Sequence, residues 1–389
     1  VKIGLIIERF SRDGGGLERW TWQLAHALDV RGHQVSVLAF RQHDVPERAT
    51  IRVVPLPWDD DRMRRALLAE RMAAGMRLDV THDFGVCTQA DILHPQSGSL
   101  LANERRDWHA RRPWERMLAR LNPRRVHWLR QVKTFEAARY PPRRDGLVIA
   151  VSQGVADDLA AWHRVSAECV RLVPNGVDTR HFTPAAPAVR EALRERLGFA
   201  GQTVLLFAAR NPRLKGVHPL LSAFARVRTL RPDMTLVTIG QQPNGRMLSD
   251  VRRLGMQHAV RCDGAVADPR VYLQAADAFV LPSWHDACSL SVLEACACGL
   301  PVMTTRANGA SELLTHDDEG YIIESAADIP AIGKALMDLA LAENRVRLGR
   351  RARQTAEVYD VTRNVDQIER VYREVAARSL RDPQGSRPA

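Results

Sequence analysis

The 389 residues are 45% hydrophobic and 26% charged, with a formal net charge of +11. That length predicts two domains, each able to bury its own core, and that balance belongs to a globular chain rather than a disordered one. No apolar run reaches the ~20 residues of a membrane helix, and the first segment is too short and too soon charged for a secretory leader, so the expected location is the cytoplasm.

Short apolar runs alternate with helical periods, which predicts an α/β architecture. Residues 2–7 form the first predicted strand. Behind it Gly14, Gly15 and Gly16 let the backbone approach a ligand and open a helix over 17–31. Further strands are predicted over 34–40, 51–54, 78–81 and 90–93. Asp59-Asp60-Asp61 contains an Asp-x-Asp, a pattern that can hold a metal. It directly precedes a helical period over 62–76 and reads as the acidic cap of that helix. His94, Gln96 and Ser97 follow the strand at 90–93. Polar residues at the carboxyl end of a strand in an open sheet lie where ligands bind.

Between Glu104 and Arg144 thirteen Arg or Lys stand against four Asp or Glu, a local excess of nine positive charges. Trp114, Met117, Leu118 and Leu121 make a helical stripe, Pro123 breaks it, and Val126, Leu129 and Val132 resume it. A basic helix with tryptophan can lie on an anionic bilayer, and it can equally be a core helix with a solvated face. Concentrated positive charge points to nucleic acid, a membrane surface or an acidic substrate.

A strand over 147–151 and a helix to 162 lead to Pro174-Asn175-Gly176-Val177-Asp178, and the Pro- and Ala-rich segment 183–188 reads as a linker. The alternation then restarts with a strand over 203–208. Arg210 and Lys215-Gly216 follow, and a helix over 217–230. Two cations beside the unpartnered N–H groups of a helix start make an anion site. Lysine is otherwise confined to Lys2, Lys133 and Lys334, which makes Lys215 informative.

The stretch from Leu281 to Val302 organises the second half. The apolar run 278–281 stops at Pro282; Leu290, Leu293, Ala297 and Leu300 recur at helical spacing; Gly299-Leu300-Pro301 closes the helix. Asp286 before this helix and Glu294 inside it, with seven residues between, bracket a helix start suited to phosphate. As ordinary residues they would be an N-capping Asp and a surface Glu. Cys288, Cys296 and Cys298 cluster here, while Cys87, Cys169 and Cys262 stand apart; none has zinc spacing, and buried small hydrophobes are expected.

The stretch resembles the signature of the family 4 retaining glycosyltransferases: Glu, seven residues, Glu, Ala, two residues, Gly-Leu-Pro-Val. Glu294, Ala295, Gly299, Leu300, Pro301 and Val302 match the second carboxylate and the tail, with three residues before the glycine, and Asp286 replaces the first Glu. Pro174 to Asp178 and Asn308-Gly309-Ala310-Ser311-Glu312 are similar to two further turns of that family. The resemblance implies a GT-B fold, two Rossmann-like domains with a deep cleft. Residues 1–182 with a crossover helix 361–377 would bind the acceptor, 183–360 would bind the nucleotide sugar, and 378–389 would be a disordered tail.

The resemblance also implies a donor site of Gly15, Gly16, Arg210, Lys215, Val266, Asp286, Ala287, Cys288, Ser289, Leu290 and Glu294. Arg210, Lys215 and Asp286 would carry catalysis. His94, Gln96 and Ser97 become acceptor-side candidates. The expected reaction is retaining transfer from a nucleotide diphosphate sugar, a UDP-sugar by preference, to a cell-envelope glycan or glycolipid such as lipopolysaccharide core, or to another small-molecule or polysaccharide acceptor. Neither metal nor cofactor is expected beyond the nucleotide sugar as co-substrate. The 104–144 region would place the enzyme peripherally on an anionic membrane surface. Nucleic acid is not an expected partner, because a simple basic binding protein would need no carboxylates at helix starts.

Overall fold

The computed structural model describes residues 1–12, 14–43, 50–141 and 146–381. The chain separates into two compact units, Val1–Pro174 with Thr362–Ala389, and Asn175–Val361.

In chain order the first unit contains β1 (Lys2–Phe10), α1 (Gly16–Val30), β2 (Gln34–Gln42), β3 (Ile51–Pro55), α2 (Arg62–Ala74), β4 (Val80–Asp83), β5 (Ile92–Leu93), α3 (Leu100–Ala110), α4 (Pro113–Leu121), α5 (Pro123–Arg139), β6 (Leu147–Ala150), α6 (Gln153–His163) and β7 (Val170–Leu172). All strand pairs are parallel, in the order β3-β2-β1-β4-β5-β6-β7. Parallel sheets are covered on both faces, so their central strands are apolar throughout. In β1, Ile3, Leu5, Ile6 and Ile7 are all buried, as is every residue of β6.

The second unit contains α7 (Pro187–Leu197), β8 (Thr203–Ala208), α8 (Val217–Leu230), β9 (Met234–Ile239), α9 (Gly245–Arg253), β10 (Val260–Gly264), α10 (Pro269–Ala275), β11 (Ala278–Leu281), α11 (Leu290–Ala297), β12 (Val302–Thr305), β13 (Gly320–Ile323), α12 (Ile329–Leu339) and α13 (Ala342–Val358). Its sheet is also parallel, in the order β10-β9-β8-β11-β12-β13. The last helix, α14 (Val361–Arg381), returns to the first unit, where Glu369 meets Arg31 at 2.9 Å and Glu374 meets Arg171 Nε at 2.8 Å.

In both sheets the strand order reverses beside the first strand, between β1 and β4 and between β8 and β11. Loops at the carboxyl ends of such strand pairs splay apart and leave a crevice for ligand. Arg210, Lys215 and Asp286 lie on the loops after β8 and β11.

Three boundaries differ from the sequence expectation. Residues 175–182 belong to the second unit, because Val177 N–H donates to Tyr359 O and Val361 N–H to Val177 O. The supposed linker 183–188 runs into α7, which Pro187 opens at its first turn. Helix α14 continues through 378–381, part of the expected tail, and residues 382–389 lie outside those described.

Candidate functional site

The second unit builds its site from two loops locked together. Gly216, at the start of α8, has φ +80°, and a Cβ there would sit 1.8 Å from Pro282 O. Only glycine lets the two loops pass this closely. Trp284 N–H donates to Leu214 O at 2.9 Å, and Lys215 Nζ donates to His285 O at 3.1 Å. Lys215 Nζ also pairs with Asp286 Oδ2 at 2.5 Å, the two side chains being 20% and 16% exposed. Arg210 lies exposed on the same loop as Lys215.

Asp286 is not the cap of α11. That position is Ser289, whose side chain makes no capping bond, so Asp286 lies three residues ahead of the cap with its carboxylate on Lys215. The helix start is held by two asparagines that lie outside the expected donor site. Asn175 is 2% exposed and donates from Nδ2 to Cys288 O at 2.9 Å. Asn308 is fully buried; its Oδ1 accepts from Ser289 N–H at 3.2 Å and Ala310 N–H at 3.1 Å. Thr305 Oγ1 donates to Ser283 O at 2.6 Å. Their sequence signal is weak: each asparagine precedes a glycine in a turn.

Ala287, Cys288 and Ser289 are buried and offer backbone rather than side chains. The first N–H groups of α11, at Leu290 and Ser291, have no partner inside the helix, where the dipole is positive. Glu294 lies in the middle of α11 and is 6% exposed. The helix ends in a Schellman motif: Leu300 N–H donates to Ala295 O, Gly299 N–H to Cys296 O, and Gly299 has φ +75°. Val266 lies two strands away from the crevice, half-buried beyond the carboxyl end of β10.

The three clustered cysteines are buried. Burial pushes the Cys288 and Cys298 thiols up to about 12, which keeps them protonated and unreactive. Among the described residues no group of three or more His, Cys, Asp or Glu is placed to hold a metal. Asp61 caps α2, accepting from Arg64 N–H at 2.9 Å, as the sequence predicts.

In the first unit, Gly15 and Gly16 open α1 beyond the carboxyl end of β1. A cavity of about 320 Å³ lies at the carboxyl ends of β1, β4 and β5. Its polar lining includes Glu8, Arg9, Arg62, Gln96, Ser97 and Arg139, with Glu18 and Glu136 beside them. His94, an expected ligand contact, is instead fully buried behind this wall, under the edge of Trp20 at 5.3 Å. Its Nδ1 lies 3.1 Å from His82 Nε2, and His82 Nδ1 lies 2.8 Å from Tyr372 of α14. Burial lowers both histidines, His94 to about 3 and His82 well below its ordinary value, with His94 and His82 kept neutral. Of the three candidates, Gln96 and Ser97 reach the cavity.

Asp83 ends β4 and accepts from the N–H groups of Gly85, Val86 and Cys87 at 2.7–2.9 Å. Arg139 closes this nest at 2.5 Å, both side chains being almost wholly buried. Burial opposes the Arg139 charge, but Asp83 and Tyr140 beside it more than offset that and raise its pKa.

The 104–144 region carries less unpaired charge than its sequence suggests. Arg106 pairs with Asp158, Arg111 with Asp107, Arg125 with Glu104 and Arg139 with Asp83. The apolar stripe on α4 faces outward: Trp114 is 54%, Met117 60%, Leu118 56% and Leu121 76% exposed. The stripe on α5 turns inward at Val132. Residues 142–145, which include the end of the basic run, lie outside those described.

Two family models match the chain: one described as Glycosyltransferase Family 4 over residues 14–181, the other as Glycosyl transferases group 1 over residues 189–355. A D-inositol 3-phosphate glycosyltransferase from Arthrobacter sp. (strain FB24) is 35% identical over 201 residues, 49% of this chain and 47% of that protein. An MMP alpha-(1->4)-mannosyltransferase from Mycolicibacterium hassiacum is 28% identical over 334 residues, 80% of this chain and 75% of that protein. The match to the first of these thus spans about half the relative's length. Among solved structures, WaaG, a glycosyltransferase involved in lipopolysaccharide biosynthesis, aligns with a TM-score of 0.78 at 20% identity, covering 99% of this chain and 100% of that one. Anabaena HepE, solved with UDP and glucose, aligns at 0.72 and 20% identity over 95% and 98%. These likenesses establish the GT-B fold.

Proposed function

Because the chain belongs to the family 4 glycosyltransferases, we propose that it transfers a sugar, with retention of configuration, from a nucleotide diphosphate sugar to a glycan or glycolipid of the cell envelope. The observation that carries this reading is the pair of interlocked loops in the second unit. They bring Lys215, Asp286 and the start of α11 together at the sheet's switch point, with Arg210 on the loop of Lys215.

The chemistry follows from charge. Cleavage of the sugar–phosphate bond places negative charge on the departing diphosphate. Arg210, Lys215 and the N–H groups of Leu290 and Ser291 stabilise it, an electrostatic contribution that fixed donors make without reorganising. Asp286 accepts hydrogen bonds from the donor hexose, Glu294 from the ribose diol, and Val266 borders the base. The departing phosphate oxygen takes the proton of the acceptor hydroxyl, which then attacks from the same face. No protein nucleophile and no metal take part. Gly15 and Gly16 offer backbone to a ligand beyond the carboxyl end of β1, and the cavity of the first unit receives the acceptor.

UDP-sugars are the preferred donors in this reading. The names of the sequence relatives favour a second one, transfer to an inositol phosphate or of mannose. A thermal-shift series over UDP-glucose, UDP-N-acetylglucosamine and GDP-mannose decides between donors, since a ligand raises the melting temperature by its occupancy. A flat response to all three refutes the donor site. Full activity in EDTA is expected, and loss restored by manganese refutes the metal-free route.

The outward apolar stripe of α4, with exposed Arg120 and Arg124, fits an anionic bilayer surface. Among the described residues no helix is long and apolar enough to cross a membrane. Trp114→Glu with Leu118→Glu is expected to abolish sedimentation with phosphatidylglycerol vesicles; retained sedimentation refutes this face.

A further inference from the structure

The start of α11 lacks the cap that its own sequence offers. Ser289 stands at the cap position in extended backbone, φ −65° and ψ 115°, yet its hydroxyl makes no capping bond. It lies instead 3.0 Å from the hydroxyl of Ser291. A serine here usually accepts from the second or third helical N–H, and a helix start without that bond is destabilised. Another group must hold this one.

The support comes from the segment after β12. Asn308 is fully buried, and both ends of its amide are engaged. Its Oδ1 accepts from Ser289 N–H at 3.2 Å and Ala310 N–H at 3.1 Å, and its Nδ2 donates to Thr304 Oγ1 at 3.0 Å. Thr304, also fully buried, donates its hydroxyl proton to Leu281 O at 3.0 Å. The threonine oxygen can then only accept from Asn308, which leaves the amide a single orientation. The backbone on either side of Asn308 grips the same loop. Asp286 N–H donates to Ala307 O at 3.0 Å, and Gly309 N–H donates to Asp286 O at 2.8 Å. One short segment thus fixes the Asp286 backbone and the helix start together. A cap hydroxyl would compete with a ligand for the first helical N–H groups, whereas a brace on Ser289 N–H leaves those of Leu290 and Ser291 without a side-chain cap.

We propose that Asn308, oriented by Thr304, is a positioning residue for the donor diphosphate: it holds the start of α11 from behind, in register with Asp286, and leaves the helical N–H groups to the phosphates. The proposal rests on the reading of this helix start as the diphosphate site.

The test uses the full chain with UDP or GDP, whichever binds more tightly, and the matching nucleoside. Titrations compare the two ligands on the wild type, Thr304→Val and Asn308→Ala. Diphosphate affinity is expected to fall about threefold in Thr304→Val and about tenfold or more in Asn308→Ala, with nucleoside affinity unchanged in both. A purely structural role would lower the melting temperature and leave the diphosphate-to-nucleoside ratio of the folded protein where it was. That unmoved ratio overturns the proposal, whether both affinities hold or both fall together. Residue-resolved hydrogen exchange on the wild type needs no variant to fold. Ser289 N–H should exchange slowly without nucleotide, and nucleotide should slow Leu290 and Ser291. Fast exchange at Ser289 in the free protein, or no protection of Leu290 and Ser291 on binding, overturns the proposal too. Failure of the wild type to bind either nucleotide refutes the transferase reading; nucleotide binding with an unmoved ratio refutes this inference alone.

Discussion

Asp286→Asn separates the two jobs assigned to that carboxylate. In the wild type it neutralises Lys215 at 2.5 Å, with both side chains more than three-quarters buried. Exposed ion pairs contribute about 0–1 kcal/mol, and stripping one partner from a fully buried pair costs about 3–5 kcal/mol, so a pair of this burial should lie between, at about 1–3 kcal/mol. The asparagine keeps the shape and leaves the Lys215 charge without its counterion. In the free enzyme this lowers the melting temperature by about 2–12 °C, at ~2–4 °C per kcal/mol for a unit of this size. A diphosphate supplies the missing negative charge, so UDP or GDP alone should bind about three- to thirtyfold more tightly to the variant, equivalent to roughly 0.7–2 kcal/mol. Turnover should move the other way, falling about ten- to a hundredfold as the bond to the sugar weakens. Calorimetry of nucleotide binding, melting curves and initial rates measure all three. Unchanged nucleotide affinity would show that Lys215 does not meet the diphosphate. Unchanged turnover would move sugar recognition to the backbone of Ala287 to Leu290.

Glu294→Ala should weaken free nucleotide binding by about tenfold, the worth of a charged hydrogen bond to the ribose; equal affinity in a titration would leave Glu294 a structural residue of α11. Arg139→Met leaves the Asp83 carboxylate buried with only its three N–H donors, and should cost about 3–5 kcal/mol, or about 6–20 °C in the melting of the first unit; calorimetry showing a shift under about 2 °C would refute the role given to that pair. His94 and His82 are neutral in the folded chain and protonate near pH 6.5 when unfolded, so the unfolded state binds more protons below that pH. Stability should be level above pH 6.5 and fall as pH drops toward 3, by about 2 kcal/mol at pH 5 from His94, with His82 acting in the same direction; denaturant titrations at pH 7 and 5 check this, and His94→Gln should reduce the slope.

The fold was legible where neighbours in sequence decide the structure. Strands β8 and β11 are short apolar runs ended by a polar residue or proline, and helix α8 follows its own period, so their ends fall where the pattern puts them. The donor loops were legible because Lys215-Gly216 and Asp286 are local signals. Contacts between distant residues were not. Asn175 braces Cys288 across 113 residues, and nothing near either one announces it. His94 looks like a ligand contact after a strand, yet Trp20 and Tyr372, at opposite ends of the chain, enclose the histidine pair. Helix α7 was lost because proline and alanine read as a linker, although proline at a first turn begins a helix as readily as it ends one.

Charge was the most misleading signal, and the reason is pairing. Arg106, Arg111, Arg125 and Arg139 add to the local excess by count, but each is neutralised by a carboxylate, those of Arg106 and Arg139 far away in sequence. What matters for an anionic partner is the charge left without a counterion. By that measure these four arginines count for little toward an anionic partner. The same reasoning separates Arg139 from Arg62 within one cavity: the first is locked to Asp83 in the wall, and the second stacks on Phe135 within reach of the Glu8 and Glu136 charges.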